Sequence, residues 1–318
     1  MEQPAAEYTA YRNSAEEINR AAREDPENFI RRSEESYHDD IRAIARRIAG
    51  EEPLCRLVML AGPSSSGKTT AARLLEKALR SLGVGSESIS LDDFYLGEGL
   101  APLLPDGKHD YECLEALDAE EIRRCLCGLA EQGRCEMPVF DFERHVRYPH
   151  RRRVVLQDRE VAVVEGIHAL NPELVDSLPD VRRKRVYISV KQGVVDRRGV
   201  LLSPDEIRLV RRIVRDFNFR QTGPDTTLSM WPNVMRGERR YIKPFRKDAD
   251  VTVNSFHAYE LCVLRDQAIG LLRTVPADSP NRAEARRLAE GLAGIEPIDR
   301  ALVPGTSMIR EFIGGGAE

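Results

Sequence analysis

The chain has 318 residues, which is enough for one large α/β domain with additions or for two domains. A hydrophobic fraction of 42% and a charged fraction of 31% are those of a folded globular protein and exclude a disordered chain. The net charge of −4 gives no reason to expect nucleic acid or a membrane surface as a partner.

The first 53 residues are polar and predict helices that form an extension to the rest of the chain. Apolar side chains recur there at roughly helical spacing, namely Ile30, Tyr37, Ile41, Ile44, Ala45 and Ile48. Gly50 and Pro53 then end the segment. Because so few apolar residues cannot form a core alone, we expect this extension to pack on the residues that follow it.

Strands and helices alternate in the central part of the chain. Five segments predict strands, at residues 56–61, 86–91, 161–164, 185–190 and 250–254, and the first of them is a short apolar run. Helical patterns accompany them at residues 119–129 and 204–219. A further helix, which ends at Gly83, is predicted from the apolar face Leu74, Leu75, Ala78, Leu79 and Leu82. Another is predicted from the buried face Leu261, Leu264, Ala268, Leu271 and Leu272. This alternation predicts an α/β fold with a parallel five-stranded sheet and helices on both of its faces.

One segment departs from the alternation. Residues 135–141 and 150–156 predict two strands joined by a basic, aromatic turn, and hence a β-hairpin inserted in the α/β core. The last part of the chain is again helical, at residues 283–292. We therefore predict a helical N-terminal extension (1–53), a central α/β domain (54–275) and a helical C-terminal extension (276–318) packed on the central domain.

The cysteines and the N-terminus indicate a reducing compartment. The six cysteines include no Cys-x-x-Cys pair, so we expect free thiols rather than a metal site. The N-terminus has no basic-then-apolar signal pattern, and no apolar run approaches about 18 residues. A cytoplasmic location is expected by default, and no membrane partner is expected.

A glycine-rich loop lies between the first predicted strand and the helix after it. It reads Gly-Pro-Ser-Ser-Ser-Gly-Lys-Thr from Gly62 to Thr69, the P-loop or Walker A pattern. The glycines let backbone N–H groups surround phosphate oxygens, and the N-terminal end of the helix faces the same anion. Lys68 reaches the β- and γ-phosphates, and the Thr69 hydroxyl ligates Mg²⁺. ATP with Mg²⁺ is the expected ligand, bound by Gly62, Ser64, Ser65, Ser66, Gly67, Lys68, Thr69 and Thr70.

A phosphate loop does not by itself name a reaction, because GTPases, helicases, transporters and small-molecule kinases share it. Guanine recognition would need the pattern Asn/Thr-Lys-x-Asp. No lysine that follows Asn or Thr has Asp two residues later, which argues against a GTPase.

Carboxylates stand at the ends of two predicted strands, at the sheet edge where ligands bind in open α/β sheets. Asp92 and Asp93 follow the second strand, and Glu165 ends the third in the place of a Walker B acid. We assign Asp92 the role of accepting the proton of an attacking hydroxyl, and Glu165 that of holding Mg²⁺. A carboxylate pair after a strand can equally cap a helix N-terminus, and this alternative stays open for Asp92 and Asp93.

The phosphate loop followed by Asp92-Asp93-Phe94-Tyr95 resembles the uridine kinase and phosphoribulokinase family. Further agreement lies at Tyr111-Glu112, at residues 138–142 with His145, at Glu165-Gly166-Ile167 and at residues 211–216. From about residue 28 onward the chain resembles bacterial uridine kinase-like proteins that often carry an N-terminal domain of the threonyl-tRNA-synthetase type. That domain is expected to be absent here.

The resemblance implies a P-loop nucleoside-kinase-like fold and ATP-dependent phosphorylation of a hydroxyl, typically the 5′-hydroxyl of uridine or cytidine. Carried over by position, Asp92 is the catalytic base. The acceptor pocket would contain Tyr95, Tyr111 and Glu112, with Glu112 on the ribose hydroxyls, and Phe140, Phe142 and His145 around the base. Together with Lys68, the phosphate-binding and catalytic cations would be Arg212, Arg215 and Arg220 of a lid.

Three positions differ from uridine kinases and leave the acceptor open. Glu112 stands where Asp is usual, Phe140 stands where Tyr is usual, and Thr222 replaces an expected lid arginine. Phe140 cannot donate a hydrogen bond to a pyrimidine. Three alternatives therefore remain: a nucleoside kinase, a kinase of another hydroxyl compound such as a sugar phosphate or a pantothenate-like alcohol, and a nucleotide-binding regulatory protein on a kinase fold.

Two smaller questions also stay open. Arg208, Arg211, Arg212 and Arg215 recur at helical spacing, and either form a solvated face or belong to the lid. The expected partner is a small-molecule acceptor, and a homo-oligomer is neither required nor ruled out. Trp231, the one tryptophan, is expected in the core.

Overall fold

The computed structural model describes residues 12–105, 107–141, 144, 146–178 and 182–316. The strands are β1 Arg12–Ser14, β2 Leu57–Ala61, β3 Gly85–Ser90, β4 Arg134–Met137, β5 Phe140–Asp141, β6 Val146–Arg147, β7 Arg152–Val155, β8 Glu160–Glu165, β9 Arg183–Ser189, β10 Gly193–Asp196, β11 Gly199–Leu202 and β12 Val251–Asn254. The α-helices are α1 Ala15–Glu24, α2 Pro26–Ala49, α3 Lys68–Ser81, α4 Ala119–Gln132, α5 Pro172–Val175, α6 Pro204–Arg220, α7 Pro224–Tyr241, α8 Glu260–Arg273, α9 Arg282–Ala293 and α10 Arg310–Ile313.

The described residues group into two compact units. We call residues 38–189 and 230–253 the sheet unit, and residues 12–37, 190–229 and 254–316 the arginine unit. The long helices α2 and α7 each contribute residues to both. The domain boundaries placed at residues 53 and 275 from the sequence remain a prediction.

The sheet unit is built on a five-stranded sheet in the order β12-β9-β2-β8-β3. Its first strand, β2, lies in the middle and pairs in parallel with both β8 and β9, while β3 pairs in parallel with β8. All five residues of β2 are buried, as expected for a central strand covered on both faces. The predicted α/β fold with a parallel sheet is confirmed.

The inserted hairpin is present but differs from the prediction in one respect. β4 pairs with β7 in antiparallel register, and a second, smaller ladder joins β5 to β6. We predicted one continuous strand over residues 135–141, whereas the strand stops at Met137. The interruption falls at Pro138, because proline has no N–H to donate to a ladder.

One residue that was predicted on the buried face of α3 is exposed in the structure. Its buried face consists of Ala71, Ala72, Leu75 and Leu79. Leu82, predicted on this face, is 40% exposed, because α3 ends at Ser81 and the chain turns at Gly83 with a φ of 74°. Glycine adopts that left-handed conformation without a steric cost.

The arginine unit contains a three-stranded sheet that the sequence did not predict. β1 pairs in parallel with β10, and β10 pairs in antiparallel register with β11. The helix α6 follows. Ser203 is its N-cap, and the Ser203 side chain forms a capping box with Glu206. In α8 the predicted apolar face is buried, as are the predicted apolar residues of α2.

Two other expectations can be compared with the structure. The six cysteines are free in the structure, and all but Cys127 are buried. Trp231, on α7, is buried as expected. Among the described helices, none combines the length and the apolar character that crossing a bilayer requires.

Candidate active site

The phosphate loop connects the end of β2 to the start of α3 in one tight turn. Ser65 and Gly67 have left-handed backbone conformations, with φ of 58° and 84°. A Cβ on Gly62 would overlap the carbonyl oxygen of Ile188, so only glycine fits against the end of β9. Within the described chain no side chain caps α3 at Gly67, and an uncapped helix N-terminus of this kind is a place where anions bind.

The hydroxyl of Ser66 indicates that this loop fits a phosphate. It is fully buried, and no described residue forms a hydrogen bond with its Oγ. A buried polar atom without a partner costs about 1–3 kcal/mol unless a ligand supplies one. A phosphate oxygen is an acceptor of the required chemistry. The residues predicted to bind nucleotide, from Gly62 to Thr70, form one continuous segment around this hydroxyl.

The two predicted metal ligands lie together at the start of α3. Thr69 Oγ1 is 3.4 Å from Glu165 Oε1, and the Lys68 ammonium donates to the carbonyl of Pro63 at 3.3 Å. Glu165 ends β8 and is largely buried. A threonine hydroxyl and a carboxylate are hard oxygen ligands, and Mg²⁺ is usually held by one or two such protein groups together with phosphate oxygens. The residues present therefore fit a Mg²⁺–nucleotide pair.

Asp92 lies in a short 3-10 turn, Leu91–Phe94, directly after β3. Ser90 connects this turn to the carboxylate of Glu165. Its Oγ donates to Glu165 at 3.1 Å and accepts from the N–H of Asp92 at 3.3 Å. Gly166 allows the two strand ends to approach, because a Cβ there would lie 2.7 Å from Leu91 Cβ. Sequence reasoning missed Ser90, although Ser-x-Asp after a strand is a capping pattern.

The structure separates the roles of the two adjacent aspartates. Ser90, and neither aspartate, is the cap of the turn. The Asp93 carboxylate accepts a hydrogen bond from the N–H of Phe140 at 3.2 Å, and burial raises the pKa of Asp93. Asp93 therefore supports the fold, which leaves the half-buried Asp92 as the carboxylate with a predicted chemical role.

Aromatic residues predicted for the acceptor pocket lie together beyond Asp92. Tyr95 donates its hydroxyl hydrogen to the carbonyl of Tyr111 at 3.1 Å, and their rings meet edge to face at 6.2 Å. The ring of Phe140 lies 5.9 Å from that of Tyr95, and Phe140 is 7% exposed. The other two predicted pocket residues, Phe142 and His145, lie outside the described residues.

Glu112 is held by neighbours that the sequence did not single out. Its N–H donates to the Asp110 carboxylate at 3.1 Å, and Arg236 of α7 pairs with the same carboxylate at 3.2 Å. Gly237 packs so closely that a Cβ there would overlap the Cβ of Glu112. A glycine inside a helix is the signal that could have located this contact.

Arg147 holds the turn that carries Asp92. Its guanidinium donates to the carbonyl of Phe94 at 2.8 Å and to that of Tyr95 at 2.9 Å, and pairs with Asp118 at 3.0 Å. Five donors in a rigid planar group suit this bridging role. Arg147 was not identified from the sequence, because its partners are 29 to 53 residues away.

His168 is a second residue that the sequence did not identify. It follows the Glu165-Gly166-Ile167 run, is 1% exposed, and lies 6.0 Å from the ring of Tyr241. Burial lowers the pKa of His168 to about 4, despite the backbone groups of Glu112 and Cys113 beside it. The imidazole is therefore neutral at physiological pH.

The three predicted phosphate-binding arginines converge on one carboxylate in the arginine unit. Asp216 is buried on α6, and Arg212, Arg215 and Arg220 approach it at 3.2, 2.7 and 3.7 Å. Guanidiniums bind phosphate oxygens through paired N–H groups, so a cluster of three is of the chemistry that a phosphate group requires. The structure thus brings these three predicted residues together.

The other two arginines of α6 have structural roles. Arg208 and Arg211 are buried and pair with Asp205 at 2.7 Å and with Glu260 at 2.6 Å. The row of arginines is therefore neither a solvated face nor a uniform lid surface. Thr222, which replaces an expected arginine, donates its hydroxyl hydrogen to the carbonyl of Arg220 at 3.0 Å.

Comparison with known proteins agrees with the geometry of the sheet unit. A family model described as "Phosphoribulokinase / Uridine kinase family" matches residues 57–261. This stretch includes the phosphate loop, Asp92, Glu112, Glu165 and α6, and leaves both terminal segments outside.

Individual relatives are more distant. A uridine kinase of Halobacterium salinarum is 28% identical over 195 residues, which cover 61% of this chain and 77% of that protein. A uridine kinase of Clostridium botulinum is 25% identical over 198 residues, covering 62% and 86%. Among solved structures, phosphoribulokinase from Rhodobacter spheroides is 14% identical with a TM-score of 0.42, covering 64% of this chain and 74% of that one. A structural likeness of this size carries no argument about substrate.

Proposed function

The chain belongs to the phosphoribulokinase / uridine kinase family, and from that premise we propose that it transfers the γ-phosphate of ATP to the 5′-hydroxyl of uridine or a related nucleoside. It is a phosphotransferase that acts on an alcohol group. One observation carries the proposal: a hydrogen-bonded row runs from Thr69 through Glu165 and Ser90 to the backbone N–H of Asp92, and so connects the phosphate loop to the residue predicted as base.

On the donor side, the phosphate loop and Lys68 bind the phosphates of ATP. Thr69 and Glu165 would hold Mg²⁺, which when bound neutralises charge on the β- and γ-phosphates. Asp92 accepts the proton of the attacking hydroxyl. The new bond joins the alcohol oxygen to the γ-phosphorus, the bond from that phosphorus to the bridging oxygen breaks, and ADP leaves.

On the acceptor side, Glu112 supplies a carboxylate that accepts hydrogen bonds from sugar hydroxyls. The fixed position of its loop, between Asp110, Arg236 and Gly237, supports such a role, because orientation of the acceptor is a large part of phosphoryl transfer. The aromatic rings of Tyr95 and Tyr111 offer flat surfaces for a planar base.

The arginines of α6 complete the proposed machinery. Arg212, Arg215 and Arg220 gather around Asp216, and we assign them the stabilisation of negative charge on the transferring phosphoryl group. Arginine suits this task because its planar group matches phosphate oxygens.

A second candidate is a kinase of another hydroxyl compound, such as a sugar phosphate or a pantothenate-like alcohol. One observation favours it: Phe140 is buried against Tyr95 and presents no polar atom, so it cannot read the edge of a pyrimidine. A site built to hydrogen-bond its substrate discriminates far more strongly than an apolar one.

A screen of acceptors against ATP consumption tests the proposal. Uridine, cytidine, purine nucleosides, pentoses, sugar phosphates and pantothenate are each mixed with the protein, ATP and Mg²⁺. Preferred turnover of a pyrimidine nucleoside supports the first assignment. Turnover of a non-nucleoside acceptor alone would instead support the second candidate, a kinase of another hydroxyl compound. Tight ATP binding without turnover of any acceptor would instead indicate a nucleotide-binding regulatory protein.

A further inference from the structure

A buried carboxylate in the arginine unit joins three segments that are far apart in sequence. Glu34, on the N-terminal helix α2, is 5% exposed. Its Oε1 accepts hydrogen bonds from the hydroxyl of Tyr259 at 2.5 Å and from that of Ser307 at 2.7 Å. Those two hydroxyl oxygens are 2.9 Å apart, and His257 Nε2 lies 3.5 Å from the same carboxylate oxygen.

The same short segment that holds Glu34 also holds the helix of the phosphate-binding arginines. Arg211 of α6 and Glu260 are both 0% exposed and pair at 2.6 Å. Arg211 also donates to the carbonyl of Ser255 at 2.7 Å. The N–H of His257 donates to the other oxygen of Glu260 at 3.3 Å. Residues 255–260 thus connect Glu34 to α6, because Tyr259 forms a hydrogen bond with Glu34 and the adjacent Glu260 pairs with Arg211.

The C-terminal segment reaches α6 at a second place. The ring of Phe312 lies 5.2 Å from the guanidinium carbon of Arg211, and the carbonyl of Phe312 accepts from Asn218 at 2.9 Å. Ser307 also accepts from the N–H of Ile309 at 3.0 Å, which ties the Glu34 contact to this segment. α6 is therefore contacted at Arg211 and at Asn218, on either side of residues 212–216.

These contacts determine how α6 can be oriented. Successive residues of a helix are separated by about 100° around its axis, so a side chain fixed at one position sets the directions of its neighbours. Arg211 directly precedes Arg212, and Arg215 lies one turn further on. Because an ion pair buried this deeply is costly to rearrange, rotation of α6 about its axis is strongly restricted.

We propose that Glu34, Tyr259 and Ser307 are positioning residues, which hold Arg212 and Arg215 in their working directions through Arg211 and Glu260. The inference rests on the phosphate-binding role of those arginines in the proposed function. It gives a task to the terminal segments, since Glu34 and Ser307 both lie outside the residues 57–261 that the family model matches.

A pair of variants on one helix tests the proposal. Glu34→Gln keeps the shape and one acceptor oxygen but removes the charge. Glu35→Gln is the matched control, because Glu35 is exposed and pairs with Arg31, one turn earlier on the same helix, at 2.9 Å. Hydrogen–deuterium exchange of peptides covering residues 204–220 should be about tenfold faster in Glu34→Gln than in Glu35→Gln.

Turnover provides the readout that a purely structural contact would leave unchanged. The kcat of Glu34→Gln should fall about tenfold, while the Kd of ADP, which is bound by the phosphate loop, stays at its wild-type value. Tyr259→Phe and Ser307→Ala each remove one hydroxyl and keep the carboxylate. They should show the same pattern more weakly, and they serve if Glu34→Gln does not fold.

The outcomes separate this inference from the proposed function. Wild-type exchange rates over residues 204–220 in all three variants would overturn the positioning network, whatever the activity. Faster exchange with unchanged kcat would overturn the link from the network to the arginines. If the wild-type protein phosphorylates no acceptor, the proposed function fails, while the exchange experiment still decides whether the network holds α6.

Discussion

The two units of the molecule hold their charged side chains in opposite ways. In the sheet unit, Lys68 and Asp92 are half-buried, and backbone turns at strand ends place them. In the arginine unit, Arg211 and Glu260 are fully buried and hold each other. We predict that charges of the first kind act on a ligand, whereas charges of the second kind build the scaffold. Substitution of Lys68 or Asp92 should therefore damage chemistry, whereas substitution of Arg211 or Glu260 should first damage stability.

The largest effect is expected at Asp92. Asp92→Asn removes the proposed proton acceptor and should lower kcat by roughly 10²–10⁴-fold. ATP affinity should remain, since the phosphate loop is untouched. Steady-state kinetics and calorimetric ATP binding measure the two quantities.

Asp93→Asn is the matched control for Asp92. The amide oxygen of asparagine can still accept the hydrogen bond from Phe140, so turnover should stay close to that of the wild type. An equal loss of kcat in both variants would show that the effect at Asp92 is structural.

Arg211 provides the corresponding test in the arginine unit. Arg211→Met leaves the buried Glu260 carboxylate without its cation and should reduce the free energy of unfolding by about 3–5 kcal/mol. Lys68→Met should change that free energy by less than about 0.5 kcal/mol while abolishing turnover. Urea unfolding of both variants makes the comparison. Wild-type stability of Arg211→Met would remove the contrast between the units.

His168 makes the sheet unit sensitive to acid. Its pKa is about 4 in the folded protein, against 6.5 for an unperturbed histidine, so the unfolded chain binds more protons between these values. Above pH 6.5 the imidazole is neutral in both states and does not reduce the free energy of unfolding. As the pH falls from 6.5 toward 4, the free energy of unfolding decreases. At one pKa unit per 1.36 kcal/mol, the loss is at most about 3 kcal/mol.

His168→Gln should therefore flatten the decline in unfolding free energy over this pH window. His150→Gln, at an exposed histidine, is the control and should keep the wild-type slope. Parallel declines in the wild type and in both variants would show that His168 does not contribute. Chemical unfolding at a series of pH values from 7 to 4 measures the slopes.

The smallest effects come from two helical glycines, one in each unit. Gly237→Ala places a Cβ on Glu112 and should raise the KM of the acceptor several-fold, since overpacking costs about 1–3 kcal/mol. Gly270→Ala, on α8, meets open space and should stabilise the fold by about 0.5–1 kcal/mol without changing KM. If the KM for ATP rises as much as the KM for the acceptor, the effect of Gly237→Ala does not act through the acceptor contact at Glu112.

The sheet could be predicted from the sequence because strand-like segments alternate with helical patterns, and because its central strand β2 is a short, continuous apolar run. The phosphate loop and the acidic strand ends were equally visible, since their chemistry lies within a few adjacent residues. The β10–β11 pair was missed because its strands are four residues each and partly exposed. The helix α7 was missed because Pro232 and Gly237 interrupt its pattern.

Contacts between distant residues set the limit of what could be predicted. Ser307 meets Glu34 across 273 positions, and Arg236 meets Asp110 across 126. No local spacing indicates either pair. The arginines of α6 show the same limit, because their helical spacing does not reveal that Arg208 and Arg211 pair with Asp205 and Glu260 while Arg212 pairs with Asp216.

The central claim is transfer of the γ-phosphate to an alcohol, and product identification tests it most directly. The protein, ATP, Mg²⁺ and uridine are incubated, and phosphate esters are detected by ³¹P NMR alongside ADP. We predict a nucleoside 5′-monophosphate formed in equal amount to ADP, and no such product with Asp92→Asn. Release of inorganic phosphate and ADP, with no phosphate ester on uridine or on any other acceptor of the screen, would contradict the account.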